Sequence, residues 1–411
     1  MYDDPWNGRL PIGLNGTPRQ DHPCSLRVVG LFAGIGGIEQ GLHDAGHRTE
    51  LLCEIEPAAK TVLAAHFPDA PIVSDVREVN ELPPADLLAA GFPCQDLSQA
   101  GKTTGIHGHR SGLVGEVFRL LEDKSRSPRW LLLENVPFML QLQRGRAMEY
   151  LTNELEAAAF RWAYRTVDAQ SFGIPQRRHR VLLLASRTED PREVLLMEDA
   201  KTPPAIEPVH SACGFYWTEG NRGLGWAVDA VPTLKGGSTI GIPSPPAIWM
   251  RHTDGSIVVP DIRDAERLQG FPADWTLPAV TEGSFKKGVR WKLVGNAVSV
   301  PVARWLGERL LIPLPYNDSG DAGLPHGSPW PKAAWGMNGE RCAVNCSMWP
   351  VTAEYQHLAE FFQFPTKLLS WKASAGFHKR ACASSLRFVA GFLDAVGAHA
   401  QRMEGVGSSC P

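Results

Sequence analysis

The sequence predicts an α/β protein whose core is a parallel sheet wound with helices. Between residues 26 and 186 strand-sized apolar runs alternate with segments of helical period, the pattern of strands buried beneath crossover helices. The predicted strands end on acids, a glycine turn or a cysteine, and sheets of this kind hold ligands outside the carboxyl ends of their strands. At 411 residues the chain exceeds one ordinary domain, so two or three compact units are expected.

Residues 1–25, rich in Gly, Pro, Asn and Asp and without periodicity, read as a flexible lead-in. Leu26 to Phe32 is a buried strand, Ala33-Gly34-Ile35-Gly36-Gly37 a glycine turn, and Ile38 to Ala45 a helix closed by Gly46. A second strand, Thr49 to Ile55, ends in Glu54 and Glu56. The next helix starts at Pro57, a residue suited to the first helical position, and runs to His66. Ile72-Val73 is a third strand that ends in Asp75. Ala85 to Ala90 is a fourth, after which Gly91 and Pro93 turn the chain sharply around Cys94, flanked by Gln95 and Ser98. Trp130 to Leu133 is a fifth strand with Glu134-Asn135-Val136-Pro137 at its end. Helices are expected over Phe138 to Arg144 and Tyr150 to Ala159. The basic cluster Gln176-Arg177-Arg178-His179-Arg180 abuts the strand Val181 to Ala185, which would turn two of its arginines toward the sheet end.

Residues 26–186 thus form one unit. Over residues 187–261 Pro, Gly, Thr and Trp become frequent and helical period disappears, which marks a smaller second unit of short strands. Helical pattern returns over residues 262–312, through Arg263 to Gln269 and, after Gly295-Asn296-Ala297-Val298, through a helix to Leu311. Residues 313–411 form a C-terminal extension with no role assigned. Its end, Ser384 to Met403, reads as one amphipathic helix burying its apolar side within its own chain.

A net charge of −3 neither suggests nor excludes a nucleic-acid partner, so any basic face must be local, as at residues 177–180 or at Lys286, Lys287, Arg290 and Lys292. The eight cysteines are scattered, and no apolar leader or membrane-length run occurs, which points to the cytoplasm and reduced thiols. Cys342 and Cys346 are the one close pair, and no metal site is expected.

Taken singly, the candidate residues have two readings each. Cys94 fits a nucleophile on an exposed turn or a small buried hydrophobe. Glu134 fits a reactive acid or a helix cap. The glycine turn lets backbone approach a ligand, and Glu54, about 20 residues on, can take a pair of ribose hydroxyls; yet Gly-x-Gly-Gly departs from the Gly-x-Gly-x-x-Gly spacing of dinucleotide sites.

Six blocks in one order decide between these readings. Leu31-Phe32-Ala33-Gly34-Ile35-Gly36-Gly37, Gly91-Phe92-Pro93-Cys94-Gln95, Glu134-Asn135-Val136, Gln176-Arg177-Arg178-His179-Arg180, Arg267-Leu268-Gln269-Gly270-Phe271-Pro272 and Gly295-Asn296-Ala297-Val298 together resemble the C5-cytosine DNA methyltransferases over residues 26–311. The resemblance implies the S-adenosylmethionine-dependent methyltransferase fold, a Rossmann-like, mostly parallel sheet with helices on both faces, plus a small irregular β-rich target-recognition domain at residues 187–261. It implies S-adenosyl-L-methionine as cofactor. Phe32, Ala33, Gly34, Ile35, Gly36 and Gly37 would hold its methionine part, Glu54 the ribose and Asp75 the adenine amino group, with Ile55 and Val76 as further cofactor-binding residues, and Asn296 and Val298 would complete the pocket.

The same resemblance makes Cys94 the nucleophile that adds to cytosine C6, Glu134 the group that holds or protonates ring N3, and Arg178 and Arg180 the cations that favour the thiolate. The cytosine has to leave the stack of double-stranded DNA to react. Gln95, Ser98, Arg110, Arg263 and Thr233 are the candidate DNA contacts, Thr233-Leu234 resembling the threonine-containing signal of recognition domains. The run Ser98 to Gly112 would close over the base, while His107 and His109 read as plain loop polarity. Arg263 and Arg267, at i and i+4, fit phosphate contacts or pairs with Asp264 and Glu266. The setting expected is restriction-modification or another phage defence with companion proteins, and a monomer on DNA. A related RNA-acting branch carries a Cys-Phe-Thr signature that is absent here. A catalytically silent DNA-binding module and a nucleotide-dependent thiol oxidoreductase are the other readings.

Overall fold

The structure is a computed structural model that describes residues 25–92, 112–123, 126–203, 205–208, 211–237 and 243–407. Five strands, β1 (Arg27–Leu31), β2 (Arg48–Cys53), β3 (Ile72–Val73), β4 (Leu87–Ala90) and β5 (Trp130–Asn135), lie parallel in the order β3-β2-β1-β4-β5. Their apolar runs are continuous because both faces are covered. Val28, Leu87, Ala89 and Leu132 pack on one face beneath helix α1 (Gly37–Asp44). Val29, Leu31, Leu88 and Leu131 pack on the other with helices α3 (Leu113–Leu120) and α4 (Arg146–Ala157), and α2 (Pro57–His66) leads from β2 to β3. Burying each of these valine and leucine side chains contributes about 2 kcal/mol.

Beyond β5 the sheet turns antiparallel. Strand β6 (Arg161–Asp168) pairs with β8 (His179–Ser186), β8 pairs with β5, and the two-residue strand β7 (Gln176–Arg177) stands apart. A second sheet is built from β9 (Cys213–Phe215), β10 (Ala227–Val228), β12 (Ala247–Trp249) and β13 (Ile257–Val259), with β11 (Val231–Pro232) paired in parallel to β7. Helices α5 (Ile262–Arg267), α6 (Val289–Asn296) and α7 (Val300–Leu311) follow; α7 packs along α1, with Val302, Ala303 and Leu306 in the core under β1. The extension then divides between the two sheets. Strands β14 (Ala322–Gly323), β15 (Ala333–Met337) and β16 (Glu340–Ala343) prolong the main sheet from β6 to ten strands, while β17 (Lys367–Leu368) joins β13 in the second sheet. Helices α8 (Trp371–Cys382) and α9 (Phe392–Gly407) cover that sheet's outer face through Phe377, Phe392 and Val396 against Phe215, Trp249 and Ile257. No helix of the described residues is long and apolar enough to cross a membrane.

Three expectations are corrected. The helix foreseen over Phe138 to Arg144 is two 3-10 turns, because Gln143 and Arg144 adopt φ 52° and 59° and the extension's Trp330 donates to the Gly145 carbonyl at 3.0 Å. The helix foreseen from Ser384 begins only at Phe392, after Gly391 at φ 78°, so Leu386, Phe388 and Val389 precede it. The basic face foreseen at residues 286–292 is partly dismantled: Arg290 is buried between Glu266 and Asp274 at 2.9 Å each, and Lys292 pairs with Glu56.

Candidate active site

The glycine turn leaves β1 through Phe32, which holds a left-handed φ of 56°, a conformation unfavourable for a residue with a Cβ and kept here by Ala33 N–H donating to Cys53 O at 3.1 Å. Gly34 N–H then donates to Glu54 Oε2 and Glu56 N–H to Glu54 Oε1, both at 2.7 Å, so one carboxylate ties the β1 turn to the β2 turn. Burial raises the Glu54 pKa, and these backbone donors oppose the rise. Asp75 caps the turn after β3 by accepting from Arg77 N–H at 3.0 Å, and the Arg77 guanidinium lowers its pKa to about 2. Phe32, Glu54, Ile55, Asp75, Val76 and Leu113 line one cleft over these strand ends. Ile55 is 65% exposed, an open apolar surface between two carboxylates. A carboxylate for a diol, apolar walls for a purine and an acid for an exocyclic amine suit an adenosine-containing cofactor.

Glu134 stands at the end of β5, which β4 separates from β1. Arg180 Nε lies 2.8 Å from Glu134 Oε1, on β8 opposite β5. Burial lowers the Arg180 pKa while the Glu134 charge raises it. A Cβ on Gly91 would sit 3.5 Å from Glu134 Oε2 and 3.9 Å from Val298 Cγ2, which places the start of the cysteine turn against the acid. Asn135 Nδ2 donates to Phe92 O at 3.0 Å, and Asn135 Oδ1 accepts from Val136 N–H at 2.9 Å.

A family profile described as C-5 cytosine-specific DNA methylase matches residues 26–211. The Type II methyltransferase M2.BsuMI of Bacillus subtilis strain 168 is 51% identical over 87% of this chain and 93% of its own length. The chain belongs to the C5-cytosine DNA methyltransferase family. It is a DNA (cytosine-5-)-methyltransferase. The Type II methyltransferase M.BsuFI of Bacillus subtilis is more distant, 27% identical over 72% of this chain and 76% of its own. The crystal structure of the S. pombe Dnmt2 methyltransferase superposes with a TM-score of 0.52 at 18% identity, covering 70% of this chain and 98% of that one, and shares the fold.

In this methyltransferase the structure gathers Phe32, Glu54, Ile55, Asp75 and Val76 at one cleft and pairs Glu134 with Arg180 where β5 meets β8. Val298 reaches the glycine turn: its carbonyl lies where a Cβ on Gly37 would be, so only glycine fits. Asn296 does not line the cleft; it is exposed, with Oδ1 toward Gly236. Arg178 is fully buried, donating to the carbonyls of Leu234 at 3.4 Å and of Ala297, and burial lowers its pKa. It thus joins the second sheet's approach to the α6–α7 turn. Thr233 is part-exposed and donates to Arg177 O at 2.8 Å. Arg263 pairs with Asp261 at 2.8 Å and packs over Phe364, and Arg267 pairs with Asp264 at 2.7 Å, so both bind the chain itself. Cys94, Gln95, Ser98, His107, His109 and Arg110 lie outside the described residues. Sequence reasoning passed over Leu113, which lines the cleft, and Asn135, which holds the Phe92 carbonyl. Leu113 follows a glycine at a helix start, and Asn135 adjoins the marked acid; neither signal is strong.

Proposed function

We propose that this enzyme transfers a methyl group to C5 of a cytosine flipped out of a specific sequence in double-stranded DNA, by way of a covalent Cys94 adduct. The observation that carries this reading is the convergence of the Gly91–Phe92 turn on Glu134 and Arg180, two residues before Cys94. Bound in the cleft, S-adenosyl-L-methionine supplies an electrophilic methyl group. Glu54 would take the ribose hydroxyls, Asp75 would accept from the adenine amino group with Ile55 and Val76 as apolar walls of the cleft, and the Phe32–Gly37 turn and Val298 would enclose the methionine part. Cytosine C5 is too weak a nucleophile alone, so the Cys94 thiolate adds to C6 while Glu134 holds a proton at N3. Arg180 fixes the Glu134 carboxyl, and Arg178 orders the wall behind it. Loss of the C5 proton then expels the thiolate. Residues 187–261 read the DNA sequence, with Thr233 near the base and Arg110, Gln95 and Ser98 on the backbone. The Type II methyltransferase names of the relatives support a restriction-modification role; a cytoplasmic setting, a companion nuclease and one protein copy per site complete the reading.

Incubation with plasmid DNA and labelled S-adenosylmethionine, followed by bisulfite sequencing, should report methylated cytosines within one sequence. DNA carrying 5-fluorocytosine at that site should give a denaturation-resistant complex with the wild type and none with Cys94→Ser. Full methyl transfer by Cys94→Ser would refute the covalent step.

A further inference from the structure

The C-terminal extension holds the segment around Thr233 from two sides. On leaving the main sheet the chain runs past the end of β6, where Met348 O accepts from Asp168 N–H at 2.9 Å, Trp349 O from Ala200 N–H at 2.9 Å, and Ala353 N–H donates to Ser171 O at 3.0 Å. It then closes on Asp229, a buried residue at φ 50° in the bend between β10 and β11. The Asp229 carboxylate accepts from Leu358 N–H at 3.0 Å and pairs with His357 Nδ1, while its carbonyl accepts from the Tyr355 hydroxyl. Four residues later comes Thr233. On the far side, Arg380 of α8 donates to the carbonyls of Trp217 at 2.7 Å and Glu219 at 3.1 Å, and the Glu219 carboxylate pairs with Lys235, two residues after Thr233.

A left-handed aspartate whose carboxylate and carbonyl are both engaged has one orientation, and the turn that follows inherits it. We propose that residues 347–380 are a specificity-positioning strap: by fixing Asp229 and the Glu219–Lys235 pair they preorganise Thr233–Leu234 for target recognition without touching DNA. The inference rests on the reading of that segment as the recognition element. Preorganised contacts discriminate because a wrong base pair cannot be accommodated by a local shift. Tyr355, His357 and Arg380 are positioning residues in this scheme.

His357→Ala and Tyr355→Phe test it with little risk to folding, since the His357 side chain is 60% exposed and the second change removes a single hydroxyl. Each full-length variant methylates plasmid DNA, and bisulfite sequencing at every cytosine gives the ratio of preferred sites to sites differing by one base pair. That ratio should fall about fivefold, the scale of one lost hydrogen bond, with the KM for S-adenosylmethionine unchanged. His357→Asn, which keeps a donor, should restore it. Wild-type ratios in both variants would overturn the strap, as would a fall matched by an equal rise in cofactor KM, which marks general loosening. Thr233→Ala separates the two layers: if it leaves the ratio unchanged, the recognition reading itself fails.

Discussion

Glu39 shows how a residue can be decisive for stability while looking like ordinary helix surface in the sequence. It lies in the first turn of α1, is 1% exposed, and its Oε2 has no partner among the described residues. Its Oε1 lies where a Cβ on Gly30 would be, so the space for a buried carboxyl is opened by a bare position in β1. Burial drives its pKa from 4.5 to about 7, with the Glu54 charge adding to the rise. Because the folded-state pKa is raised, the native protein holds more protons than the unfolded chain between about pH 4.5 and 7. Stability is therefore lost as pH climbs through that window, by up to about 3 kcal/mol above it. Glu39→Gln should match the wild type near pH 5 and exceed it at pH 8 in urea unfolding; the same pH slope in both proteins would refute the assignment. Glu54, Asp75 and Glu134 were legible because predicted strands place them at sheet ends. Glu39 was not, since its burial depends on Gly30 across the strand-to-helix crossover.

The parallel strands were legible as elements for a similar reason. Runs such as Leu131–Leu133 and Val181–Ala185 must be buried on both faces, and few other structures satisfy them. The helices that failed are those whose fate depends on remote partners: Phe138 to Arg144 yields to Trp330, and the segment before Phe392 to contacts on the second sheet. Phe92, two residues before Cys94, depends on an element end in the same way. Asn135, at the last position of β5, uses both side-chain polar atoms to join Phe92 to its own strand. Asn135→Ala leaves a buried carbonyl and a part-buried N–H without these partners, a cost of about 2 kcal/mol. It should also lower kcat more than tenfold by releasing the approach to Cys94, while the KM for S-adenosylmethionine, whose proposed pocket lies on β1 to β3, stays within about twofold. Steady-state kinetics with each substrate varied in turn check this; an unchanged kcat would show that the turn holds without Asn135.

At the scale of the molecule, the change of composition after residue 186 made a second unit legible, but not the way the chain weaves between the two. It enters the second sheet at β9, returns to the main body through α5 to α7, extends the main sheet with β14 to β16, and crosses again to end on α8 and α9. The extension's composition carries no sign of this, because β14 and β17 are two residues each and rely on partners far off in sequence. Buried links accompany the weave: Gln176 accepts from Leu234 N–H at 3.0 Å, and Asp264 accepts from Gln363 and Phe364 N–H at 3.1 Å. Two sheets so interlaced should open together, and ligand binding to one should then protect both. S-adenosylhomocysteine at 100 times its Kd adds about 2.7 kcal/mol to any opening that destroys its site, about a hundredfold slower exchange. Hydrogen exchange read by mass spectrometry should therefore slow in Cys213–Phe215 and Ala247–Trp249 as much as in Leu131–Leu133. Protection confined to the main sheet would mean that the second sheet opens independently, and that the strands and the strap that cross to it do not couple the two.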